Sequence, residues 1–433
     1  MLAKAISQAG SDNVAKAFAP IARLCKIYTI KGVGLLKKRL CIIGSGVAGL
    51  HLAYALKDDF DITVIERQSP DQIRKGRIMS TQVHFGSTRT REKRFNMPKW
   101  GEQTLLESIH ITIGNQKLFV GMLQEPALSV DQRLYYSHSI KDLIEKGVSF
   151  RFEKVDKENV EVLIDEFDLL IDCTGKNGPL LPFPIEEALT PYQTPQRKCI
   201  VGYFTGIRAN TPLGVSVTVL PGLGEMFEIP AITEHGPVTI LFIMGIPNTE
   251  LDVFKGIKNA EEFTLKMRST VQQFFPEIHN RIDGNNFALC DESSFLQTAL
   301  TPVIRKPYLM VNNKLVVGCG DSVFLNDPIS GQGCNLSSYC AEQLYETLIE
   351  YKDSKWDADT GKSYWNRTKQ YVKEVTEWTN AMTEPLPEHV IQLLLQGAQD
   401  QVQANEIAEW FANPTKAFEA FFSATATIHK NNQ

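Results

Sequence analysis

RLCIIGSGVAGLHLAYALKDDFDITVIER, residues 39–67, is the stretch on which the fold turns. Its apolar run at 40–43 reads as a strand, and a Gly-x-Gly-x-x-Gly loop follows at Gly44, Gly46 and Gly49. Apolar spacing predicts a helix from Val47 to Leu56. A second strand, Ile62 to Ile65, ends on Glu66. Each part has a physical role. Gly44 makes the tight strand-to-helix turn, Gly46 has no Cβ to block a pyrophosphate, and Gly49 lets the helix pack close on the strands. The helix start offers free N–H groups and a partial positive charge to phosphate. Glu66 stands where an acid accepts hydrogen bonds from a ribose diol, with Arg67 beside it. Glycines alone are weak evidence. Framed by strand, helix, strand and acid, they point to a nucleotide-binding βαβ unit.

The chain around this unit has 433 residues, which suggests two or three domains rather than one core. A net charge of −5 gives no general attraction to nucleic acid or anionic membrane. No apolar run approaches the roughly 20 residues that span a bilayer. The eight cysteines form no CxxC pair, and several sit in apolar runs where Cys behaves as a small hydrophobe. That pattern predicts a reducing, cytoplasmic setting with neither disulfides nor a metal site. Residues 1–37 are basic and interrupted by Pro20, and read as a poorly ordered extension ahead of the first strand.

Beyond Arg67, alternation puts Ser80, Gln82 and His84 on one face of an extended segment. Such a row fits a ligand wall or a solvent face, and His84 taken alone reads as a structural histidine. Residues 87–94 are Arg-rich and read as surface. Alternating residues at 105–122 predict strands of a second sheet, and residues 131–146 a helix with Asp131 near its start. FDLLIDCTG at 167–175 reads as a buried strand ending in a turn at Thr174 and Gly175. In a doubly wound sheet such a turn lies at the carboxyl edge, where ligands bind. Residues 199–245 hold three or four strand candidates that suggest an antiparallel sheet.

The strand at 314–318 leads into a second glycine-rich connection. Gly320 and Asp321 place an acid where it can bind the hydroxyls of a ribose or ribityl chain. Pro328, Gly331 and Gly333 then open a helix expected from about Asn335 to Glu350. Its start offers N–H groups and positive dipole, suited to negative charge on a reduced flavin. Two such loops, with a sheet inserted between them, suit one elongated cofactor, and FAD fits. The ADP half belongs on residues 44–66 and the flavin half on 320–335. No second strand–GxGxxG–helix for a nicotinamide is found.

GSGVAGLHLAYAL, RLYYSHSIKDLIE, FDLLIDCTGK, PQRKCIVGYFTGI, EMFEIPA and GDSVFLNDPISGQGCNLSSYCAEQL together resemble the oxygenase component of the styrene and indole monooxygenases. The resemblance spans about residues 38–425. It implies an α/β fold with a Rossmann-like FAD-binding domain of the p-hydroxybenzoate hydroxylase type, an inserted antiparallel-sheet substrate domain and a helical C-terminus. The implied domains are 38–90, 128–180 and 300–350 for FAD, 91–127 and 181–299 for substrate, and 351–433 for the helical end. It also implies a two-component flavoprotein monooxygenase. An NADH-dependent flavin reductase supplies FADH2, O2 adds to give a C4a-hydroperoxyflavin, and an aryl alkene or indole is epoxidised. In the family the segment matching 77–84 lines the pocket, which makes Ser80, Gln82 and His84 its wall. Styrene-preferring members are expected to carry Asn and Val at Ser80 and Gln82, so the preference leans to indole. His84 stands where the styrene type carries His. A homodimer is left open. Two other readings compete: a self-contained NAD(P)H-dependent aromatic hydroxylase, and a non-redox binding protein on an FAD-type fold.

Overall fold

A computed structural model describes residues 37–101 and 105–430. The expected extension over residues 1–37 lies outside the described residues apart from Lys37. The quoted stretch forms β1 (Arg39–Ile43), α1 (Val47–Leu56) and β2 (Asp61–Glu66). Leu40, Cys41 and Ile42 are fully buried, as expected for a parallel strand covered on both faces. Further along come β5 (Ser149–Phe152), β6 (Leu169–Asp172), β14 (Tyr308–Val311) and β15 (Lys314–Gly318). These join into one six-stranded sheet, in the order β14-β15-β6-β1-β2-β5. All its pairs are parallel except β14 with β15. The carboxyl ends of β1, β6 and β15 therefore lie side by side. Backbone bonds extend this edge: Cys173 N–H donates to Ile43 O and Cys319 N–H to Asp172 O.

The inserted sheet contains β3 (Leu106–Ile113), β4 (Gln116–Ala127), β7 (Lys198–Thr205), β8 (Gly214–Leu220), β9 (Gly224–Thr233) and β10 (Gly236–Gly245). It is completed by β11 (Ala288–Leu289) and β12 (Phe295–Ala299). It is antiparallel with one exception: β3 runs parallel to β8. The physical reason is that the β3–β4 hairpin comes from an earlier segment and joins the sheet at its flank. Alternation divides the faces. On one face Ile200, Met226, Leu241 and Ile243 pack under the helix Ala260–Phe274. On the other, registered neighbours form a row of apolar side chains, Val217–Phe227–Phe242–Val201–Leu296, across five strands. Two further helices are α2 (Gly86–Arg94) and α3 (Gln132–Glu145). A two-residue pairing of β13 (Val303–Ile304) with β16 (Phe324–Leu325) leads into the second glycine-rich connection.

That connection ends in α4 (Gly333–Glu350), which starts two residues before the expected Asn335. The C-terminal helices are α5 (Ala358–Thr383), α6 (Glu388–Gly397), α7 (Gln401–Ala412) and α8 (Pro414–Lys430). Helix α7 covers the free edge of β4. Met122 N–H donates to Asn405 Oδ1 (2.8 Å) and Gln124 N–H to Glu409 Oε1 (2.6 Å). Gln401 Nε2 donates to Val120 O (2.8 Å). Residues four apart on a helix advance about 6 Å and those two apart on a strand about 6.6 Å, so the two patterns keep step. The strand edge is thereby satisfied rather than left open to another chain. Gly121 makes the approach close enough: a Cβ there would stand 2.1 Å from Ala404 O and 2.7 Å from Ala408 Cβ. We expect Gly121→Ala to push α7 off β4 and cost about 1–3 kcal/mol, the scale of an overpacked core site. A thermal melt compared with the conservative Val120→Ile would show it, and an unchanged melting temperature would refute it.

Candidate active site

A cavity of about 730 Å³ runs from the glycine loop to the apolar face of the inserted sheet. At one end stand Gly44, Ser45, Gly46, Glu66, Arg67 and Thr174 with Gly175. Gly44 has φ +100°, which a side chain rarely tolerates, and its N–H donates to Ile65 O, tying the turn to β2. Gly49 is not in the wall. A Cβ on it would lie 2.0 Å from Gly44 O, so its part is to seat α1 against the turn. Gly46 differs from both, because a Cβ there would meet no protein atom within 4 Å. Its bare α-carbon thus answers no packing demand of the chain, as suits the approach of a phosphate. Glu66 Oε2 accepts from Ser45 N–H (3.0 Å) and Ser45 Oγ (2.8 Å), which fixes the carboxylate over the loop. Asp172 does the same for the CTG turn. It accepts from Thr174 N–H (3.0 Å), Thr174 Oγ1 (2.6 Å) and Leu180 N–H (2.7 Å).

Asp321, Pro328, Gly331 and Gly333 line the middle of the cavity. Burial pushes the Asp321 carboxyl up to about 6, with Lys176 opposing. Gly320 lies behind the wall, where a Cβ would crowd Ala48 and Ser337. Two of the helices that begin at the cavity, α1 and α4, have no side-chain cap on their N-termini. By contrast α3, whose first turn also reaches the cavity, and α5 and α7 away from it open on Asp131, Asp357 and Asp400, whose carboxylates accept from the first-turn N–H groups. An uncapped start keeps its N–H groups and positive dipole available for a ligand's negative charge. Open space at Gly46, a held acid at Glu66, a buried acid at Asp321 and two uncapped helix starts fit FAD along this cavity.

The far end is apolar. Ile109, Val201, Val215, Val217, Phe227 and Phe242 face it from the inserted sheet. Phe411 reaches it from α7, a contribution that no local pattern in the sequence could reveal. Ser80 and Gln82 are both in the wall, and Ser80 is held by Gln132, whose Oε1 accepts from Ser80 N–H (3.1 Å).

His84 and Asn335 depart from expectation, because neither lines the cavity. The strand alternation assumed for 80–84 is broken by an irregular backbone with a single bridge at His84. His84 turns inward, and its Nδ1 meets Glu92 Oε1 at 2.6 Å. Tyr135 Oη donates to the same oxygen (2.7 Å). Asn335 holds the segment from the other side. Its Oδ1 accepts from Phe85 N–H (3.1 Å) and Thr88 Oγ1 (2.8 Å), and its Nδ2 donates to Val83 O (3.0 Å). Residues 87–94, expected at the surface, form most of α2, and Thr88 and Glu92 are buried in these contacts. His84, Glu92 and Asn335 are therefore positioning residues that fix where Gln82 sits.

Burial pulls the His84 ring down, but the Glu92 carboxylate and nearby hydrogen bonds outweigh it and hold the ring up at about 10. Burial would raise Glu92, yet the His84 charge and hydrogen bond hold it down at about 2. Burial keeps the neighbouring His51 at about 3 and so neutral.

Comparison with known proteins agrees with this geometry. Residues 175–281 match the family described as "Styrene monooxygenase A putative substrate binding domain". Styrene monooxygenase StyA of a Pseudomonas species is 30% identical over 400 residues, covering 90% of this chain and 96% of that protein. The same figures hold for StyA of Pseudomonas fluorescens. The chain belongs to the styrene monooxygenase oxygenase family. It is an FAD-dependent monooxygenase. Among solved structures, the flavin-dependent brominase Bmp2 superposes with a TM-score of 0.61 at 14% identity, over 92% of this chain and 100% of that one. For 2-methyl-3-hydroxypyridine-5-carboxylic acid oxygenase the TM-score is 0.60 at 12% identity, over 87% and 97%. At these identities the likeness shows the fold alone, which is of the p-hydroxybenzoate hydroxylase type. No helix among the described residues is long and apolar enough to cross a membrane.

Two outcomes follow for this monooxygenase. Gly46→Val should fold with a near-normal melting temperature, since its side chain meets no protein atom, yet lose FAD binding measured by flavin fluorescence. Normal FAD affinity would misplace the pyrophosphate. Glu92→Gln should cost about 3–5 kcal/mol by stranding the His84 charge. The His84 contribution is complete below its unfolded value of 6.5 and fades as pH rises through about 10. The Glu92 contribution is complete above its unfolded value of 4.5 and fades as pH falls through about 2. Denaturant melts should therefore show the largest gap between wild type and variant at pH 4.5–6.5, closing on either side. A gap that widened towards pH 10 would mean the pair is not charged.

Proposed function

We propose that this monooxygenase is the oxygenase half of a two-component system. It takes FADH2 from a separate NADH-dependent flavin reductase and, with O2, epoxidises a small aromatic substrate, an aryl alkene or the indole C2–C3 bond. The observation that carries this most directly is one continuous cavity with a nucleotide-binding end and an apolar end. The single strand–GxGxxG–helix in the sequence supports an external source of reduced flavin. When bound, the reduced flavin supplies the oxygen-activating chemistry. The protein's own residues bind, orient and keep water out. The uncapped start of α4 offers positive dipole to negative charge on the flavin. The row from Val217 to Leu296 gives the aromatic ring a dry wall, which suppresses side reactions with water.

The preference leans to indole because Gln82 brings a buried carboxamide to the cavity wall beside the apolar end. Both its oxygen and its nitrogen lack a hydrogen-bond partner in the protein. A polar group so placed favours a substrate with an N–H over one without, since otherwise it stays unpaired. NADH alone should leave the bound FAD oxidised. Adding an unrelated flavin reductase with free FAD should start turnover of indole, and of styrene more slowly. Rapid bleaching of the flavin by NADH with no reductase present would instead mark a self-contained hydroxylase.

A further inference from the structure

Among the described residues, Arg67, Arg77, Arg133, Lys154 and Lys176 bring basic side chains to the cavity wall. Arg67 and Lys154 lie just past the ends of β2 and β5, beside Glu66 at the nucleotide end. Arg133 is held by Asp131 and Asp291, and Arg77 lies over the Phe295 ring, 4.8 Å from its centroid. Lys176 is different. Its Nζ donates to a neutral group, the carbonyl of Met79 (3.1 Å), and it forms no ion pair among the described residues.

Three elements locate this ammonium. Lys176 follows the CTG turn at the carboxyl edge of β6. Met79 precedes Ser80, which stands in the wall beside the apolar end. The groups whose charge would favour the ammonium are Cys199, the second residue of β7, and Asp321, just past the end of β15. The ammonium thus stands where glycine and acid give way to apolar surface. With the pyrophosphate at Gly46, the part of FAD that reaches this changeover is the flavin ring. Neither neighbour neutralises the charge. Burial pushes the Cys199 thiol up, which keeps it neutral at ordinary pH. Asp321 is a carboxylate above about pH 6, but it is not in ion-pair contact with Lys176. Burial meanwhile pulls the Lys176 ammonium down. A half-buried cation with a carbonyl for its partner is under-compensated, and a negative group entering the cavity relieves it.

We propose that Lys176 makes the cavity discriminate between the redox states of the flavin, with its ammonium favouring the reduced ring over the oxidised one. Two electrons and one proton convert the neutral oxidised ring into an anion, the ionised form of FADH2. A fixed cation beside the ring therefore gains attraction only after reduction, which is how a protein tunes a flavin's electronics. The pyrophosphate has the same charge in both states, so a cation placed there would strengthen both equally and discriminate nothing. The start of α4 acts in the same sense as Lys176, but it belongs to the backbone and survives a side-chain change. This inference rests on the flavin half lying between Asp321 and the apolar end. It does not depend on where the electrons come from.

Anaerobic titrations of the full chain with oxidised FAD and with dithionite-reduced FAD give both dissociation constants. Lys176→Gln keeps an N–H for the Met79 carbonyl and loses the charge. It should weaken reduced FAD by about 10- to 100-fold, the range of one hydrogen bond to a charged group, and leave oxidised FAD within about twofold of wild type. Lys176→Arg keeps the charge and should keep most of the preference. Lys176→Met, uncharged and of similar length, serves if the Gln variant does not fold. Each tenfold loss of preference should lower the midpoint potential of the bound flavin by about 30 mV, a second readout on the same samples. Equal weakening of both forms in the uncharged variants would assign Lys176 to the pyrophosphate and overturn the proposal. Unchanged affinity for both forms would overturn it too, leaving Lys176 as a tie to Met79. A preference lost in Lys176→Gln, in a protein whose flavin NADH bleaches unaided, would sink the two-component reading and uphold this one.

Discussion

The carbonyl of Gly44 and the α-carbon of Gly49 lie so close that a single methyl on Gly49 would overlap the carbonyl oxygen. That contact sets the height at which α1 sits on the parallel sheet. It brings the helix start, without a capping side chain, to the carboxyl edge where β1, β6 and β15 end together. The groups that fit FAD are set out along this edge. Glu66 closes one side through Ser45, and Asp172 orders the CTG turn on the other. Asp321 approaches from the end of β15. A loosened α1 would leave these acids in place but without the helix dipole they surround.

The inserted sheet contributes the opposite chemistry. Its inward face is an apolar row built by register, one side chain from each of five neighbouring strands. Apart from Thr298 of β12, which also lines the cavity, polar groups on the same strands face away. Ser216 and Glu228 pair across strands on the outer face, where Arg281 meets Glu228. The cavity therefore changes along its length, from glycine, acid and helix start to aliphatic and phenyl surface. The two ends offer a ligand two kinds of surface within one continuous space.

Between the two ends lies the segment carrying Ser80 and Gln82, which neither sheet holds as a regular strand. It is fixed instead by buried polar groups behind it. Asn335 serves three groups of that segment, and the His84–Glu92 pair with Tyr135 fills the space beneath. A buried ion pair gains little net stability against an apolar packing of the same volume, but it is strict about geometry. Here that strictness decides which way each side chain of residues 80–84 points.

The sequence by itself determined the nucleotide-binding unit, because strand, glycine spacing, helix and terminal acid are local and each has one physical task. It determined the second glycine-rich connection for the same reason, and with it FAD. Alternation was enough to foresee a second sheet, though not that β3 would run parallel to β8, since pairing between distant segments leaves no local trace. Tertiary structure alone decided the apolar end of the cavity. His84 and Gln82 are two residues apart and were assigned one face, yet irregular backbone sends one to Glu92 and the other to the cavity. Asn335 looked like a ligand at a helix start and proved to be a clamp, because its partners at 83, 85 and 88 lie some 250 residues earlier. Phe411 carries no pattern at all in one dimension, yet α7 brings it to the cavity. Which side chains reach a cavity is a property of the packing around it, and that packing comes from every part of the chain.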